Sequence, residues 1–361
     1  MSERKLRAGV IGLGVGRAHA KGYIASPDAE LVALCDANTE RLNQYAAEWN
    51  IDGRYSDYHT MFREAQLDVV SIGLPNALHA EASIAALEAG VHVICEKPMA
   101  TTSAEARAML AAARQHNRQL MVCYNYRYRS DSQWMRRVIQ SGRLGQVHHV
   151  AVSWRRETGI PGWGLFGSKA ASGGGALIDL GVHVIDLGLW LLEFPRVQTI
   201  SGHVRSLFGP YSRKTWGKSP SSVRDDAFDV DDGGVAFMRL SNGATMSLQV
   251  TWAEHSQPHE DAFRVEVQGT DGTAILHVRN YKNEDTLRFY TEIEGAPVTV
   301  IPSVNFDGHQ GHAALIVDLA ASLRAGTPPA ATGEQGLIGV EILEALYQSA
   351  AAGHEVRIDG A

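Results

Sequence analysis

The first 124 residues alternate between short apolar runs and segments with helical spacing, and this alternation limits the possible folds more than any other feature. Apolar runs of the kind that is buried on both faces of a parallel sheet occur at 7–13, 30–35, 68–74, 91–95 and 119–124. Helical segments separate them at 17–25, 38–49, 76–89 and 103–116. The pattern predicts a doubly wound parallel sheet of the Rossmann type, which binds ligands beyond the C-terminal ends of its strands.

A glycine turn ends the first predicted strand. It runs Gly12-Leu13-Gly14-Val15-Gly16 and leads into a helical segment at Arg17. In such a turn the backbone approaches a pyrophosphate closely, and the free N–H groups and the dipole of the helix favour the anion. We therefore expect Gly12, Gly14, Val15, Gly16 and Arg17 to contact a dinucleotide. The turn departs from G-x-G-x-x-G because Arg17 occupies the position of the third glycine.

The second and fifth predicted strands end in charged residues. Asp36 follows the second strand, about twenty residues after the glycine turn, where an acid can accept from the adenosine ribose hydroxyls. A carboxylate there repels a 2′-phosphate, so the sequence favours NAD over NADP. Glu96-Lys97-Pro98 follows the strand at 91–95, and the Lys97 ammonium could hold a substrate hydroxyl or polarise a carbonyl. The alternative is a surface Glu–Lys turn that Pro98 keeps rigid.

A second chemically distinctive segment follows three glycines at 173–175. The apolar run after them is long enough for a helix, and Asp179 and His183 stand at i,i+4 spacing on one predicted face. Burying an acid and an imidazole costs desolvation energy, which a catalytic role would justify. The alternative is a buried histidine whose hydrogen bonding the neighbouring aspartate satisfies.

Together these residues resemble the Gfo/Idh/MocA oxidoreductase family, which includes glucose–fructose oxidoreductase and the inositol dehydrogenases. The match covers nearly the whole chain. It rests on the glycine turn with His19, Asp36, Leu74-Pro75-Asn76 with His79, Glu96-Lys97-Pro98, and Gly174-Gly175 through Asp179, Gly181, His183 and Asp186. The resemblance implies that Lys97, Asp179 and His183 form the catalytic group. It places Leu74, Pro75, Asn76, His79, Glu96 and Lys97 with the cofactor-binding residues.

The rest of the chain is predicted to form a second domain. Strand signals dominate after residue 197, and the resemblance implies a C-terminal α+β domain with a large, mostly antiparallel open sheet that commonly builds dimers or tetramers. We expect an NAD-binding domain at 1–124 and a substrate-binding and oligomerisation domain at 125–361. The loop at 157–172 is a plausible lid or an ordinary surface loop. The candidate substrate contacts are Tyr124, Arg127, Arg156, Trp163 and His312.

Composition restricts the partners. The net charge is −7 without runs of Lys or Arg, so nucleic acid and anionic membranes gain no support as partners. The three cysteines are far apart in the sequence, as expected for reduced, buried thiols. His309 and His312 resemble a metal pair, but no cysteine and no acid cluster stands near them, so we expect capping or substrate contact and no metal. The chain begins without an apolar signal segment and has no charge-free stretch near 20 residues, which predicts a cytoplasmic protein.

These observations predict an NAD-dependent dehydrogenase that interconverts a secondary alcohol and a ketone on a sugar, cyclitol or related polyol. Two alternatives remain open. A redox-neutral, NAD-dependent glycosidase would use the same fold to oxidise, eliminate and reduce again. A non-catalytic sensor would only bind NAD, although binding alone does not require Lys97, Asp179 and His183 together.

Overall fold

The computed structural model describes residues 4–358. These residues form two compact units, one from 4–128 together with 308–340, and the other from 129–307 together with 341–358. The two units differ from the continuous domains predicted on either side of residue 124, because the chain returns to the first unit after residue 307.

The strands are β1 (Leu6–Ile11), β2 (Ala29–Cys35), β3 (Gly53–Tyr55), β4 (Val69–Ile72), β5 (His92–Cys95), β6 (Leu120–Val122), β7 (Val147–Arg156), β8 (Val197–Arg205), β9 (Gly233–Leu240), β10 (Thr245–Thr251), β11 (Asp261–Gly269), β12 (Gly272–Arg279), β13 (Leu287–Ile293), β14 (Ala296–Val300) and β15 (Val356–Arg357). The α-helices are α1 (Gly16–Ala25), α2 (Thr39–Glu48), α3 (Tyr58–Glu64), α4 (His79–Glu88), α5 (Ser103–Gln115), α6 (Ser130–Gln140), α7 (Lys169–Ser172), α8 (Val182–Leu191), α9 (Gly311–Ala325) and α10 (Gly333–Ala352).

The sheet of the first unit has six strands in the order β3-β2-β1-β4-β5-β6, and all of its neighbouring pairs are parallel. This order is the one that defines the doubly wound dinucleotide-binding fold, so the fold prediction is confirmed. The strands end level with one another, because Ile11 pairs with Cys35 and Ile72, and Cys95 pairs with Ile72 and Val122. The residues that follow these strands therefore meet along one edge of the sheet.

The late return of the chain to the first unit rests on close packing between two helices. Gly22 of α1 lies against Ile316 of α9, and a Cβ atom at position 22 would stand 2.7 Å from the Cβ of Ile316. Ile316 is fully buried. Sequence periodicity predicts that the segment around Ile316 is helical, but it cannot predict that the glycine face of α1 is its neighbour.

The second unit contains a nine-stranded sheet in the order β14-β13-β12-β11-β7-β10-β9-β8-β15. Strands β7 and β10 are parallel, and the other neighbouring pairs are antiparallel, as the sequence predicts. Buried and exposed residues alternate along β9, so one face of this strand packs inward and the other faces outward. All ten residues of α8 are buried, and the helix packs against β7 and β11.

The helix predicted around Asp179 is not a continuous α-helix. A π-helical turn covers Leu177–Gly181, and α8 begins directly after it at Val182. A π-helical turn contains one more residue than an α-helical turn, and such turns occur often at functional sites. The i,i+4 spacing between Asp179 and His183 therefore spans a change of helix type, which the sequence pattern does not predict.

One stretch of residues 4–358, Lys169–Leu191, is long and apolar enough to cross a membrane by length and composition. An 18-residue segment within this stretch has a mean hydropathy of 1.4, and 94% of that segment lies buried inside the protein. The core helix of a soluble protein passes the same test, so the burial of this stretch accounts for its apolar composition.

Candidate active site

The glycine turn of the first unit lies at the edge where the parallel strands end. Gly12 has a φ of +81°, and a Cβ atom there would collide with the backbone of Gly73 in the turn after β4. A Cβ atom at Gly16 would stand 2.8 Å from a methyl group of Val10, so the start of α1 packs closely on β1. At Gly14, by contrast, a Cβ atom would find no heavy atom of the described residues within 4 Å. The turn is therefore tight at its two ends and open at its centre.

The start of α1 can receive an anion. Val15 occupies the N-cap position, and among residues 4–358 no side chain caps the helix there. The first N–H groups of a helix need acceptors from outside it, and the helix dipole adds a partial positive charge. Arg17 is exposed, and its Nη1 lies 3.4 Å from the hydroxyl of Tyr45. The open turn and the uncapped helix fit a pyrophosphate.

Asp36 lies at the end of β2 and is buried, with 4% of its surface exposed. Its carboxylate accepts hydrogen bonds from the N–H of Leu13 at 2.7 Å and the N–H of Asn38 at 2.8 Å. Arg41 donates two more, at 3.0 and 2.8 Å. Burial alone would raise the pKa of Asp36, but these bonds outweigh it and hold the pKa below its ordinary value. The carboxylate is therefore ionised and fixed beside the glycine turn.

His79 joins the turns that follow β4 and β5. Its Nδ1 lies 2.8 Å from the carbonyl oxygen of Pro98, and its Nε2 lies 2.9 Å from that of Leu74. The ring is fully buried, and burial lowers its pKa despite the two carbonyl groups. His79 thus positions the Leu74-Pro75-Asn76 segment relative to Lys97, which is half-buried and precedes Pro98 through a cis peptide bond.

Two predicted substrate contacts of the first unit are almost fully buried. Tyr124 and Arg127 are each 1% exposed. The guanidinium of Arg127 lies over the Tyr124 ring and donates to the carbonyl of Ala330 at 3.0 Å and to the Gln335 side chain at 2.7 Å. These contacts tie the region after β6 to the segment at the start of α10. Both side chains therefore have partners within the protein, and a role for Tyr124 and Arg127 in substrate binding stays a prediction.

A further feature of the first unit, the surroundings of His312, is not predicted by the sequence. His312, at the start of α9, lies in a cluster with His19, Glu96 and Cys123, and their ligand-type atoms all lie within 4.8 Å of one another. The expectation that neither a cysteine nor an acid accompanies His312 is therefore wrong. The error arose because these residues come from four distant segments, and only the level strand ends and the packing of α9 on α1 bring them together.

In the second unit, Asp179 lies in the π-helical turn, and His183 lies in the first turn of α8. The indole N–H of Trp252 donates to Asp179 Oδ2 at 3.0 Å, and the nearest guanidinium nitrogen of Arg156 lies 3.9 Å from the same oxygen. His183 is 9% exposed, and the centre of its ring lies 5.8 Å from that of Trp154. The acid and the imidazole are thus held among aromatic side chains in a largely buried environment.

Arg156 ends β7 and is 7% exposed. Its Nε donates to Asp261 at 2.9 Å, and its Nη2 donates to the Tyr281 hydroxyl at 2.8 Å. The guanidinium also lies over the Trp216 ring, with its carbon 5.1 Å from the ring centre. Buried in this way, Arg156 provides a fixed positive charge near Asp179.

The loop at 157–172 is attached to the rest of the second unit at both ends. Ile160 exchanges backbone hydrogen bonds with the segment at 214–216, and Glu157 forms an ion pair with Lys214. Further along, the N–H of Lys169 donates to the Asp229 carboxylate at 2.6 Å. Trp163 is 57% exposed and stacks on Trp216, with ring centres 5.4 Å apart and planes 6° from parallel. Most of the loop is therefore fixed, and Trp163 presents a flat apolar surface.

Asp231 is a further residue that the sequence reasoning missed. Its carboxylate accepts from the N–H of Gly175 at 2.8 Å, from the N–H of Leu177 at 3.0 Å and from the Tyr347 hydroxyl at 2.6 Å. Any side chain at Gly175 would collide with the backbone carbonyl of Asp231. Burial raises the pKa of Asp231 despite these donors. The glycines before Asp179 therefore permit close contact with a carboxylate that satisfies the start of the helical segment.

The first unit has the strand order, the open glycine turn and the buried acid that define an NAD-binding Rossmann fold. Comparison with known proteins agrees with this class. Residues 6–124 match the oxidoreductase family described by an NAD-binding Rossmann fold, and residues 136–358 match its C-terminal alpha/beta domain. The chain belongs to this family, the Gfo/Idh/MocA oxidoreductases.

Several similar proteins have names that describe dehydrogenases of sugars. D-glucoside 3-dehydrogenase from Escherichia coli is 30% identical over 364 residues, which cover 99% of this chain and 99% of that protein. Levoglucosan dehydrogenase from Pseudarthrobacter phenanthrenivorans is 31% identical over 311 residues, covering 79% of this chain and 76% of the relative. A solved structure of a levoglucosan dehydrogenase in complex with NADH is 26% identical, covers 99% of this chain and 100% of that chain, and has a TM-score of 0.85.

We expect Asp231→Ala to lower the free energy of unfolding by about 2–4 kcal/mol, because the N–H groups of Gly175 and Leu177 and the Tyr347 hydroxyl lose a buried acceptor. Urea unfolding followed by circular dichroism measures the change. Asp226→Ala is the matched control, because Asp226 is exposed and forms a surface ion pair with Arg224. Equal unfolding midpoints for the two variants would show that the Asp231 carboxylate does not stabilise the helical segment.

Proposed function

We propose that this protein is an NAD-dependent dehydrogenase that oxidises a secondary alcohol of a sugar, cyclitol or related polyol to a ketone, and reduces the ketone in the reverse direction. The observation that carries the proposal is the edge where the parallel strands end. There the open glycine turn, the fixed carboxylate of Asp36 and the turn that holds Lys97 lie together in one unit. The names of the similar sugar dehydrogenases support the substrate class.

The residues of the first unit fit a dinucleotide. Gly14 and the uncapped start of α1 would hold the pyrophosphate, and Asp36 would accept from the adenosine ribose. The bound nicotinamide would supply the hydride acceptor that oxidation of an alcohol requires. Asp36 already accepts four hydrogen bonds, and the Arg41 side chain that donates two of them is 44% exposed. Arg41 is therefore the partner that must yield when the ribose binds.

The remaining chemistry is proton transfer and positioning. In the oxidative direction His183 takes the hydroxyl proton, and Asp179 stabilises the imidazolium that results. Lys97 holds the reacting oxygen; the alternative, in which Lys97 is the base, is distinguished by the variants below. This role for Asp179 is supported by the Trp252 indole and Arg156, which lie beside its carboxylate and hold it in place.

Exposed aromatic surface supports a sugar as substrate. The Trp163 indole stacks on Trp216 and remains 57% exposed, and the C–H face of a sugar ring packs well on such a surface. The fixed guanidinium of Arg156 lies against the other indole of this pair. We propose that Trp163 and Arg156 contribute to substrate binding on this basis. His312 was assigned the same role from the sequence, and it stays a proposal.

We also propose a homodimer or homotetramer in the cytoplasm. The second unit exposes apolar side chains along the nine-stranded sheet, at Val235 and Phe237 of β9 and at Tyr290 and Ile293 of β13. Such side chains support self-association through the sheet. The three cysteines are unpaired, buried thiols, which fits a reducing compartment.

We expect NAD to bind at least tenfold more tightly than NADP, a difference of about 1.4 kcal/mol, because the Asp36 carboxylate repels the 2′-phosphate. In Asp36→Ser the preference should shrink, since the repulsion is lost and the Arg41 guanidinium becomes available to the phosphate. Adding Arg41→Ala to that variant should remove the gain in NADP affinity. Fluorescence titration measures the affinities of the wild type, the single variant and the double variant for both cofactors. A wild-type preference for NADP would contradict the placement of Asp36.

We expect His183→Asn to lower kcat for oxidation by a factor on the order of 10²–10⁴ with little change in NAD affinity. Oxidation by the wild type should fall on acidification, because a protonated imidazole cannot accept the hydroxyl proton. His203→Asn, on an exposed position of β8, is the control. Wild-type turnover by His183→Asn would remove His183 as the base and assign that role to Lys97.

The reaction class is tested by product analysis with a panel of free inositols, aldoses and aryl glycosides. We expect NADH to accumulate in proportion to the polyol oxidised, as in a dehydrogenase that exchanges its cofactor freely. Nicotinamide absorbance and chromatography measure both products. Glycoside cleavage at catalytic NAD, without accumulation of NADH, would establish the redox-neutral glycosidase instead. Binding of NAD with no conversion of any substrate would favour the sensor.

A further inference from the structure

Four residues of the first unit place metal-ligand atoms in one buried cluster. His19 lies on α1, Glu96 directly follows β5, Cys123 directly follows β6, and His312 lies in the first turn of α9. Each offers one nitrogen, sulfur or oxygen atom, and these four atoms lie within 4.8 Å of one another. We refer to these residues as the His/Glu/Cys/His cluster.

The contacts within the cluster centre on one carboxylate oxygen. His19 Nε2 lies 2.8 Å from Glu96 Oε1, and His312 Nε2 lies 3.3 Å from the same oxygen. The centres of the two imidazole rings are 5.5 Å apart, and their planes are tilted by 48°. Ligand atoms around a tetrahedral zinc ion, at bonds of about 2.0–2.3 Å, are about 3–4 Å apart. The cluster therefore has nearly the spacing that a bound ion requires.

The cluster is buried, and one polar atom of its residues is unsatisfied. His19 and Cys123 are fully buried, and Glu96 is 4% exposed. His19 Nδ1 is a buried polar atom with no hydrogen-bond partner in the part of the chain that the structure describes. The carboxylate therefore satisfies one nitrogen of His19 and leaves the other without an acceptor or donor, an arrangement with a desolvation cost.

Ligation requires a carboxylate, a lone pair on each imidazole and a thiolate, so binding of a metal ion displaces protons from the cluster.

We propose that the His/Glu/Cys/His cluster binds one divalent transition-metal ion, Zn²⁺, in a four-coordinate site. Two imidazoles, one thiolate and one carboxylate are donors that Zn²⁺ takes, and four protein ligands make a closed site of the structural kind. The His312 side chain is 27% exposed, which gives the ion a side from which to enter. On binding, the metal–sulfur bond forms as the Cys123 thiol loses its proton to solvent, so one proton is released.

The site would have a structural consequence within the first unit. The ion would link α1, the ends of β5 and β6, and the start of α9. Without it, the Glu96 carboxylate connects three of these segments through its contacts with His19 and His312. It would also engage the Glu96 carboxylate beside Lys97. The proposal does not rest on the proposed dehydrogenase function, because its readouts are metal binding and stability.

The test uses the full chain, freed of metal with a chelator and titrated with Co²⁺, whose tetrahedral complexes are coloured and show a sulfur-to-metal charge-transfer band when a thiolate is bound. We expect one Co²⁺ per chain, displacement by Zn²⁺, and a rise in the midpoint of thermal unfolding with Zn²⁺ concentration. The band should be lost in Cys123→Ser and kept in Cys95→Ser, whose cysteine is also buried.

A second pair of variants keeps the test decisive if Cys123→Ser does not fold. His312 is partly exposed at the start of α9, and His309 is an exposed neighbour outside the cluster. His312→Ala should weaken Co²⁺ binding by at least about tenfold, and His309→Ala should leave it unchanged. The proposal is overturned if the wild type binds no Co²⁺ or Zn²⁺ at micromolar concentrations, or if the two histidine variants bind Co²⁺ equally.

Discussion

The carboxylate of Asp231 determines where the helical segment with Asp179 and His183 begins. The first N–H groups of a helix have no acceptor within it, and at this buried position water cannot supply one. Asp231 accepts from Gly175 and Leu177, and the Tyr347 hydroxyl donates to the same group. Glycine is required at position 175 because the Asp231 backbone occupies the space of a side chain. The position of the acid and the imidazole thus depends on residues much later in the chain.

Three buried carboxylates show how partners decide the charge of an acid. Burial raises the pKa of each, yet only Asp231, whose donors are neutral N–H and hydroxyl groups, has a raised pKa. Asp36 faces the Arg41 guanidinium, and Glu96 faces two imidazoles, and both have lowered pKa values. By linkage, a carboxyl group with a lowered pKa stabilises the fold above its unfolded pKa, and this contribution is lost as the pH falls through the folded value. Asp36 and Glu96 therefore favour the folded state at neutral pH.

The features that the sequence predicts are those determined by neighbours along the chain. Strand periodicity, the glycine turn and the acid at the end of β2 are local, so the doubly wound fold and the position of Asp36 could be read directly. The π-helical turn could not be predicted, because the sequence of Leu177–Gly181 is as apolar as that of an α-helix at the same position. Asp231 lies in a polar stretch without periodicity. The partners of His312 are brought near by the level ends of the parallel strands and by the packing of α9 on α1.

The order in which the chain builds the first unit has a consequence for synthesis on the ribosome. Its parallel sheet is complete once residue 122 has emerged, but α9, which covers α1, begins only at residue 311. Until then the groove along Gly22 that Ile316 fills stays open, and eight of the nine strands of the other sheet, β7 to β14, are translated in the interval. A nascent chain therefore carries an unfinished nucleotide-binding fold through most of translation. A fragment that ends at the last strand of that fold would lack the helix that closes it.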